Sequence, residues 1–218
     1  MEILLAAATA AEIAPTLDWL NGEGNLSATE PHVLYTGVGL MAATFSLTRA
    51  LSERQYDLVI GAGIAGAFDH SLALGECVLV ESEALGDLGA EDHDAFLDVF
   101  SLGFGSPDEA PFSNGILKAD LADTGVPTQH LQRVTGLTVN MVAGNQATIT
   151  SRSTRYGAQI ESMEGAALHY VCLQLGIPFV QLRAISNYVT PRDRQSWKIR
   201  EAVIALNAQL IDWLKLSA

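Results

Sequence analysis

Two carboxylates and one carboxamide stand where this chain could do chemistry. Glu12 lies just beyond an apolar run at residues 3–8. Glu164 follows the short run "QIES" and opens a helical pattern. Asn187 ends another apolar run, within the tract "ISNYVTPRDRQSW" (residues 185–197). A positioned carboxylate serves as general acid or base, and a carboxamide both donates and accepts hydrogen bonds. Each residue also has a purely structural reading. Glu12 and Glu164 fit the positive end of a helix dipole, and Asn187 fits a turn. Their joint occurrence favours a site. Metal chemistry has no such support, because the five histidines are scattered, with no pair at i, i+4 and no cysteine cluster. A serine hydrolase would need a G-x-S-x-G elbow, which is absent.

Positioning these groups falls to an alternation of strands and helices. Apolar runs at 3–8, 32–35, 58–60, 77–80, 134–139 and 179–184 read as strands. Helical patterns cover 41–54, 163–175 and 199–216, the last with Ile199, Val203, Leu206, Leu210 and Trp213 on one stripe. Gly176 and Pro178 supply a usual helix stop. The stretch "MEILLAAATAAEIAP" reads as a strand and a turn, and residues 86–114, rich in Gly, Asp and Pro, as a long surface loop. The expected architecture is α/β: a three-layer α-β-α domain over residues 1–218, with a central, mostly buried mixed sheet. In an open sheet of this kind the binding crevice forms at the strand C-termini, where Glu12, Glu164 and Asn187 would meet.

Composition narrows the partners. A net charge of −13 over 218 residues argues against nucleic acid and anionic membranes. No run is long and apolar enough to span a bilayer. The N-terminal stretch lacks a basic region and carries Glu2 and Glu12, so it does not read as a signal peptide. Cys77 and Cys172 lie in apolar runs and read as buried free thiols in a reducing cytoplasm.

The glycines suggest close approach of backbone. "GAGIAG" (61–66) matches G-x-G-x-x-G and follows a strand, but no helical stripe opens at its last glycine. A dinucleotide site needs that helix. The alternative is a strand that turns where backbone passes close to a ligand. "TGVGLMAA", with Gly37 and Gly39, fits the same reading.

The tract "SMEGAALHYVCLQLGIPFVQLRAISN" (162–187) resembles the signature of the purine nucleosidase and nucleoside phosphorylase superfamily. That signature has Met-Glu followed by small residues, then a strand ending Arg-Ala-Ile-Ser and an acid or amide. The likeness covers most of the chain, with Glu12 after the first strand, "TGVG", "GAGIAGAF" and "LALGECVLVE" in family positions. The Met-Glu and Arg-Ala-Ile-Ser blocks are specific; the glycine turns alone are not. Within the superfamily, "ISNYVTPRDRQSW" and "GLTVNMV" are most similar to the futalosine hydrolases. These enzymes of the alternative menaquinone pathway cleave futalosine, whose 5′ side ends in a benzoate, to hypoxanthine and dehypoxanthine futalosine. The resemblance implies a nucleoside phosphorylase-like fold, a small-molecule nucleoside as partner, and a homodimer in which a partner loop closes the 5′ end of the site. No cofactor is expected.

Residue by residue, the resemblance makes Glu164 a clamp on the ribose 2′- and 3′-hydroxyls, with Met163 against the sugar. Such bonds strengthen as oxocarbenium charge grows. Glu12 would hold and deprotonate the attacking water. Arg183 would anchor Glu164 or the water, or is simply a satisfied strand-end arginine. Val38, Ile64, Ala65, Gly66, Asn145 and Ser186 fall at substrate-lining positions. Asn187 suits a 6-oxopurine, whose O6 and N7 both accept hydrogen bonds. Two departures matter. Ile64 stands where the family often has Ser or Thr, which favours water over phosphate as nucleophile, and no base-capping aromatic is evident at residues 144–145. Beyond Asn187, Arg192, Arg194 and Lys198 fall within seven positions alongside Trp197. They read either as a grip on the benzoate or as a solvated loop paired with Asp193 and neighbouring acids. Three other activities stay open: a methylthioadenosine/adenosylhomocysteine nucleosidase, a purine phosphorylase, and a nucleoside-binding protein without turnover. The presence of both Glu12 and Glu164 weighs against the last.

Overall fold

The computed structural model describes residues 1–22, 30–93, 95–122 and 124–216. Strand β1 (Ile3–Ala7) is followed by helix α1 (Ala10–Asn21), β2 (His32–Tyr35), α2 (Leu40–Glu53), β3 (Leu58–Ala67) and β4 (Cys77–Leu85). Then come β5 (Gly89–Asp92), β6 (Ala95–Asp98), β7 (Leu117–Lys118), β8 (Gln132–Thr138), α3 (Gln146–Tyr156), β9 (Ile160–Ser162), α4 (Gly165–Leu175), β10 (Phe179–Tyr188) and α5 (Ile199–Leu216).

The expected three-layer α/β arrangement is present. The mixed sheet runs β10-β4-β8-β9-β3-β1-β2, and β10 pairs β3 as well, so β3, β10, β4, β8 and β9 close on themselves. Helices α1 and α5 cover one face, where Ala202, Leu206, Leu210 and Trp213 of α5 pack against Leu5, Ile60 and Leu182. Helices α2 and α4 cover the other, where Leu47, Leu168 and Val171 meet Leu4 and Val59. Of the expected α5 stripe, Ile199 is exposed, because the helix begins before it reaches the sheet.

One feature of β3 creates room for a site. Along one edge it pairs β1 from Leu58 to Ala62, and then β9 only at Gly66 and Ala67. Between the two partners its edge is open, and the ends of β1 and β9 both point their following residues into that gap.

Several local expectations are corrected. "GAGIAG" does not turn: β3 stays extended through Ala67, held by β10 along its whole length. Its glycines make room for neighbouring side chains instead. The region after β1 is a helix rather than a turn. Pro15 lies inside α1, and the carboxamide of Asn207 packs against the turn that holds it. Thr16 N donates to Asn207 Oδ1 (2.9 Å), and Asn207 Nδ2 donates to the Glu12 carbonyl (2.8 Å), so its carboxamide clips the turn beside the proline, which lacks its own N–H. Residues 86–114 contain the β5–β6 hairpin; residue 94 lies outside the described residues. Helix α3 and strand β9 had no legible period, being short and polar or only three residues long.

Candidate active site

The capping of α1 aims Glu12. Thr9 precedes the helix, and its N and Oγ1 both donate to Glu12 Oε2, at 3.0 and 3.1 Å. This is the structural role expected of an acid in a first turn. It occupies only one carboxylate oxygen. The other, Oε1, reaches the open edge of β3 and accepts from Ile64 N at 3.3 Å. Gly63 makes this possible: a Cβ there would lie 3.0 Å from Glu12 Oε1 and 2.3 Å from Arg183 Nη1.

Glu164 arrives from the other side of the gap. It is the N-cap of α4, directly after β9. Its Oε1 accepts from Gly39 N at 2.9 Å, and its Oε2 lies 3.8 Å from Arg183 Nη1. Gly39 begins α2 with φ of 90°, a conformation other residues adopt at a cost, so the "TGVG" turn presents its amide to the carboxylate. Arg183 is buried on β10 and also donates to the Ile64 carbonyl at 3.4 Å. The guanidinium thus sits between the Gly63 backbone and Glu164, and its Nε, buried, has no partner among the described residues. Glu12 and Arg183 crowd Gly63, and Arg183 extends the cluster to Glu164.

Asn187 lies one residue before the end of β10, past a bulge after Ile185. Ser186 Oγ, 2.8 Å from Asn187 Oδ1, and the Tyr188 carbonyl, which accepts from Nδ2, together orient the carboxamide. Nδ2 donates one hydrogen to the Tyr188 carbonyl at 3.0 Å and points across Gly66, whose absent Cβ would lie 3.1 Å from it. One N–H is left to face outward.

This arrangement has relatives. The phosphorylase superfamily profile matches residues 19–211. The chain is 38% identical over 179 residues to the futalosine hydrolase of Streptomyces coelicolor, an alignment covering 80% of this chain and 74% of that one. The chain belongs to the futalosine hydrolase family of the phosphorylase superfamily. The futalosine hydrolase of Thermus thermophilus is 34% identical over 173 residues, covering 79% and 76% of the two chains. Solved structures give the same fold at lower identity. The 5′-methylthioadenosine/S-adenosylhomocysteine nucleosidase of Neisseria meningitidis superposes with a TM-score of 0.78 at 18% identity, over 98% of both chains. That of S. pneumoniae superposes with 0.80 at 20% identity, over the full length of both.

The remaining residues expected at the site divide. Ile64, Ala65 and Gly66 form the floor on β3, and the Ala65 carbonyl lies 3.1 Å from Ser186 Oγ, the alternative acceptor for its single proton. Met163 is half-buried beside Glu164, and Val38 is 58% exposed on the turn before α2. Asn145 stands apart: it is exposed, and its side chain caps α3 by accepting from Thr148 N. Arg192 and Arg194 both lie over the Trp197 ring, at 5.4 and 5.8 Å from its centroid. Neither is within 4.0 Å of a carboxylate among the described residues, and Asp193 caps the short turn Arg194–Ser196 instead. The pairing expected of a solvated loop holds only for Lys198, 3.8 Å from Glu201; stacking on Trp197 and the turn's own hydrogen bonds hold the two arginines' loop. Arg192 and Trp197 share a small cavity with Asn187 and Gly66.

Two buried acids beneath the site escaped the sequence reading. Glu83 on β4 is fully buried, and accepts from Gln181 Nε2 and Thr138 Oγ1, each at 2.9 Å. Burial raises its pKa to about 7, against the opposing pull of Gln181, Arg183 and Thr138. Thr138 Oγ1 in turn accepts from Ala166 N at 2.7 Å, which ties this acid to the first turn of α4. Glu161 on β9 is buried and paired with Arg152 at 2.9 Å; burial raises its pKa as well, opposed by the Ala143 amide and Arg152. Neither has a periodic signal, because their partners come from distant strands. Among the described residues no cluster of His, Cys, Asp or Glu could hold a metal ion, and no helix is long and apolar enough to cross a membrane.

Proposed function

We propose that this chain hydrolyses the N-glycosidic bond of futalosine, releasing hypoxanthine and dehypoxanthine futalosine. The observation that carries the reading is that Arg183 joins the two acids: its Nη1 shares the space over Gly63 with Glu12 Oε1 and lies 3.8 Å from Glu164 Oε2. Glu12 keeps Oε1 on the open edge of β3, and Glu164 is held by the Gly39 amide and Arg183.

In this reading Glu164 accepts from the ribose 2′- and 3′-hydroxyls. Those bonds strengthen as positive charge develops on the ribosyl group. Glu12 Oε1 orients a water molecule and takes its proton as the water oxygen bonds to C1′. The C1′–N9 electron pair leaves with the purine. The free Asn187 N–H, placed between O6 and N7, stabilises the charge arriving on the base and favours a 6-oxopurine over a 6-aminopurine. A full proton transfer from Asn187 is excluded by its chemistry, so the proton that neutralises the departing base comes from solvent. Arg183 is a positioning residue for Glu164. Ile64 offers no hydroxyl for phosphate, which supports water as the nucleophile.

Two further parts of the proposal concern the substrate's far end and the assembly. Arg192 and Arg194, free of acid partners and stacked on Trp197, are suited to grip the benzoate carboxylate. A second copy of the chain is proposed to cover Val38, Met41 and Phe45, which are 58%, 87% and 67% exposed next to the Gly39 turn. The enzyme is proposed to work in the cytoplasm.

The test is chromatography after incubation with futalosine, inosine and methylthioadenosine, each with and without phosphate. Hypoxanthine from futalosine without phosphate is the expected result. Strict phosphate dependence would make the chain a phosphorylase. Preferential cleavage of methylthioadenosine would align it in activity with its structural neighbours. No free base from any substrate would leave a binding protein.

A further inference from the structure

Asn187 is one half of a pair. Strands β9, β3 and β10 lie side by side, with Glu161 opposite Gly66 and Gly66 opposite Asn187. Residues in register across neighbouring strands project to the same face. The row therefore sets a carboxylate and a carboxamide two strand spacings apart, roughly 10 Å between their Cα atoms. The residue between them has no side chain. Glu161, Gly66 and Asn187 all line one cavity of about 60 Å³, closed on one side by Val142 and Ala143.

Glu161 is held still, with both of its oxygens turned to fixed donors. It is 4% exposed. Its Oε1 accepts from Ala143 N and its Oε2 from Arg152 Nη1, both at 2.9 Å. The same Nη1 donates to the Met141 carbonyl at 2.7 Å, and Arg152 Nη2 lies 3.7 Å from Asp87 Oδ2. A carboxylate has about four acceptor sites, and these two bonds leave others open. Both donors in this network come from its neighbours, Ala143 N and Arg152 Nη1.

A 6-oxopurine offers acceptors at O6 and N7, which suit the Asn187 amide, and a donor at N1–H, which needs an acceptor. A 6-aminopurine has a bare lone pair at N1. We propose that Glu161 accepts the N1–H of the base while Asn187 serves O6 and N7, so that the two residues together specify the 6-oxopurine. This rests on the nucleoside hydrolase reading above. A 6-aminopurine in the slot meets a carboxylate with its N1 lone pair, a mismatch that burial makes costly. Glu161 is thus a specificity-determining residue, with Arg152 as its positioning partner.

The test measures binding of the free bases hypoxanthine and adenine by calorimetry, to the wild type and to folded variants. The wild type should prefer hypoxanthine by about 100-fold or more. Glu161→Gln, whose amide can turn a donor toward N1, should cut that preference at least tenfold, roughly the worth of one lost charged hydrogen bond. Glu161→Asp, which keeps the acceptor and the charge, should retain most of it. A folded Glu161→Gln protein with the wild-type ratio would overturn the proposal and reduce Glu161 to a brace for the loop at 141–144. Should that variant fail to fold, the wild type decides with 1-methylhypoxanthine, which lacks N1–H: binding as tight as hypoxanthine overturns the pairing, and loss of binding supports it. The two readings fail separately. A wild type that binds hypoxanthine selectively but cleaves no nucleoside refutes the hydrolase. One that cleaves futalosine with an unchanged ratio in Glu161→Gln refutes only the pairing.

Discussion

Glu12 Oε2 is spent on the helix cap, and the proposed reaction falls to Oε1. Replacing it by Gln keeps the size and one acceptor but removes the base. Glu12→Gln and Glu164→Gln should each fold normally and lower futalosine turnover about 100-fold or more, measured as initial rates of hypoxanthine release. Near wild-type turnover in either variant would remove it from the mechanism. Glu83 acts differently, through stability. Its pKa is raised from 4.5 to about 7 in the folded protein, so between those values the folded chain holds a proton the unfolded chain has lost. The stabilising contribution is full below pH 4.5 and is lost as pH rises through 7, at most about 3 kcal/mol. Glu83→Gln cannot ionise. Its melting temperature should therefore rise relative to wild type as pH goes from 4.5 to 7.5; parallel melting curves across that range would sink the assignment.

At the scale of elements, α1 depends on a residue 191 positions away in sequence. Beside Pro15, Asn207 accepts from the Thr16 amide and donates to the Glu12 carbonyl. Asn207→Leu, close in volume, leaves the Thr16 amide and the Glu12 carbonyl without it. The expected loss is about 2 kcal/mol or more in urea unfolding, together with a drop in turnover as the Glu12 turn shifts. A change under about 0.5 kcal/mol, the level of an ordinary surface substitution, would show that another group takes over. The loop after β10 makes a separate claim. Arg192→Ala and Arg194→Ala are tested singly and together. The arginine that holds the benzoate should raise the futalosine KM roughly 10- to 100-fold when removed, with cleavage of inosine, which lacks that group, nearly unchanged. Wild-type futalosine-to-inosine ratios in all three variants would make the loop only a surface.

For the whole molecule the exposed apolar patch on α2 is the main question. Met41 and Phe45 project from the helix that begins at Gly39, whose amide holds Glu164. Light scattering should give about twice the chain mass of 23.2 kDa, and Met41→Glu with Phe45→Glu should return it to one. Because that interface adjoins the Gly39 turn, the monomer should also lose activity. A wild type that is monomeric at micromolar concentration would refute the assembly while leaving the site within one chain intact.

The sequence by itself determined the layers and pointed to three of the candidate site residues. Apolar runs and helical stripes suffice for that, since burial in a sheet or against it imposes the period directly. Glu12, Glu164 and Asn187 were legible because each follows or ends an apolar run, where a polar group meets the crevice. Only the tertiary structure decided how those groups are held. That "GAGIAG" stays extended depends on β10 lying beside it, and the need for glycine at 63 comes from an arginine 120 residues later. Pro15 inside a helix is tolerable because Asn207 arrives from α5. Glu161 faces Asn187 because β9 and β10 flank the same residue of β3. Such contacts join distant parts of the chain through short polar segments, and local periodicity carries no information about which segments become neighbours when the sheet closes.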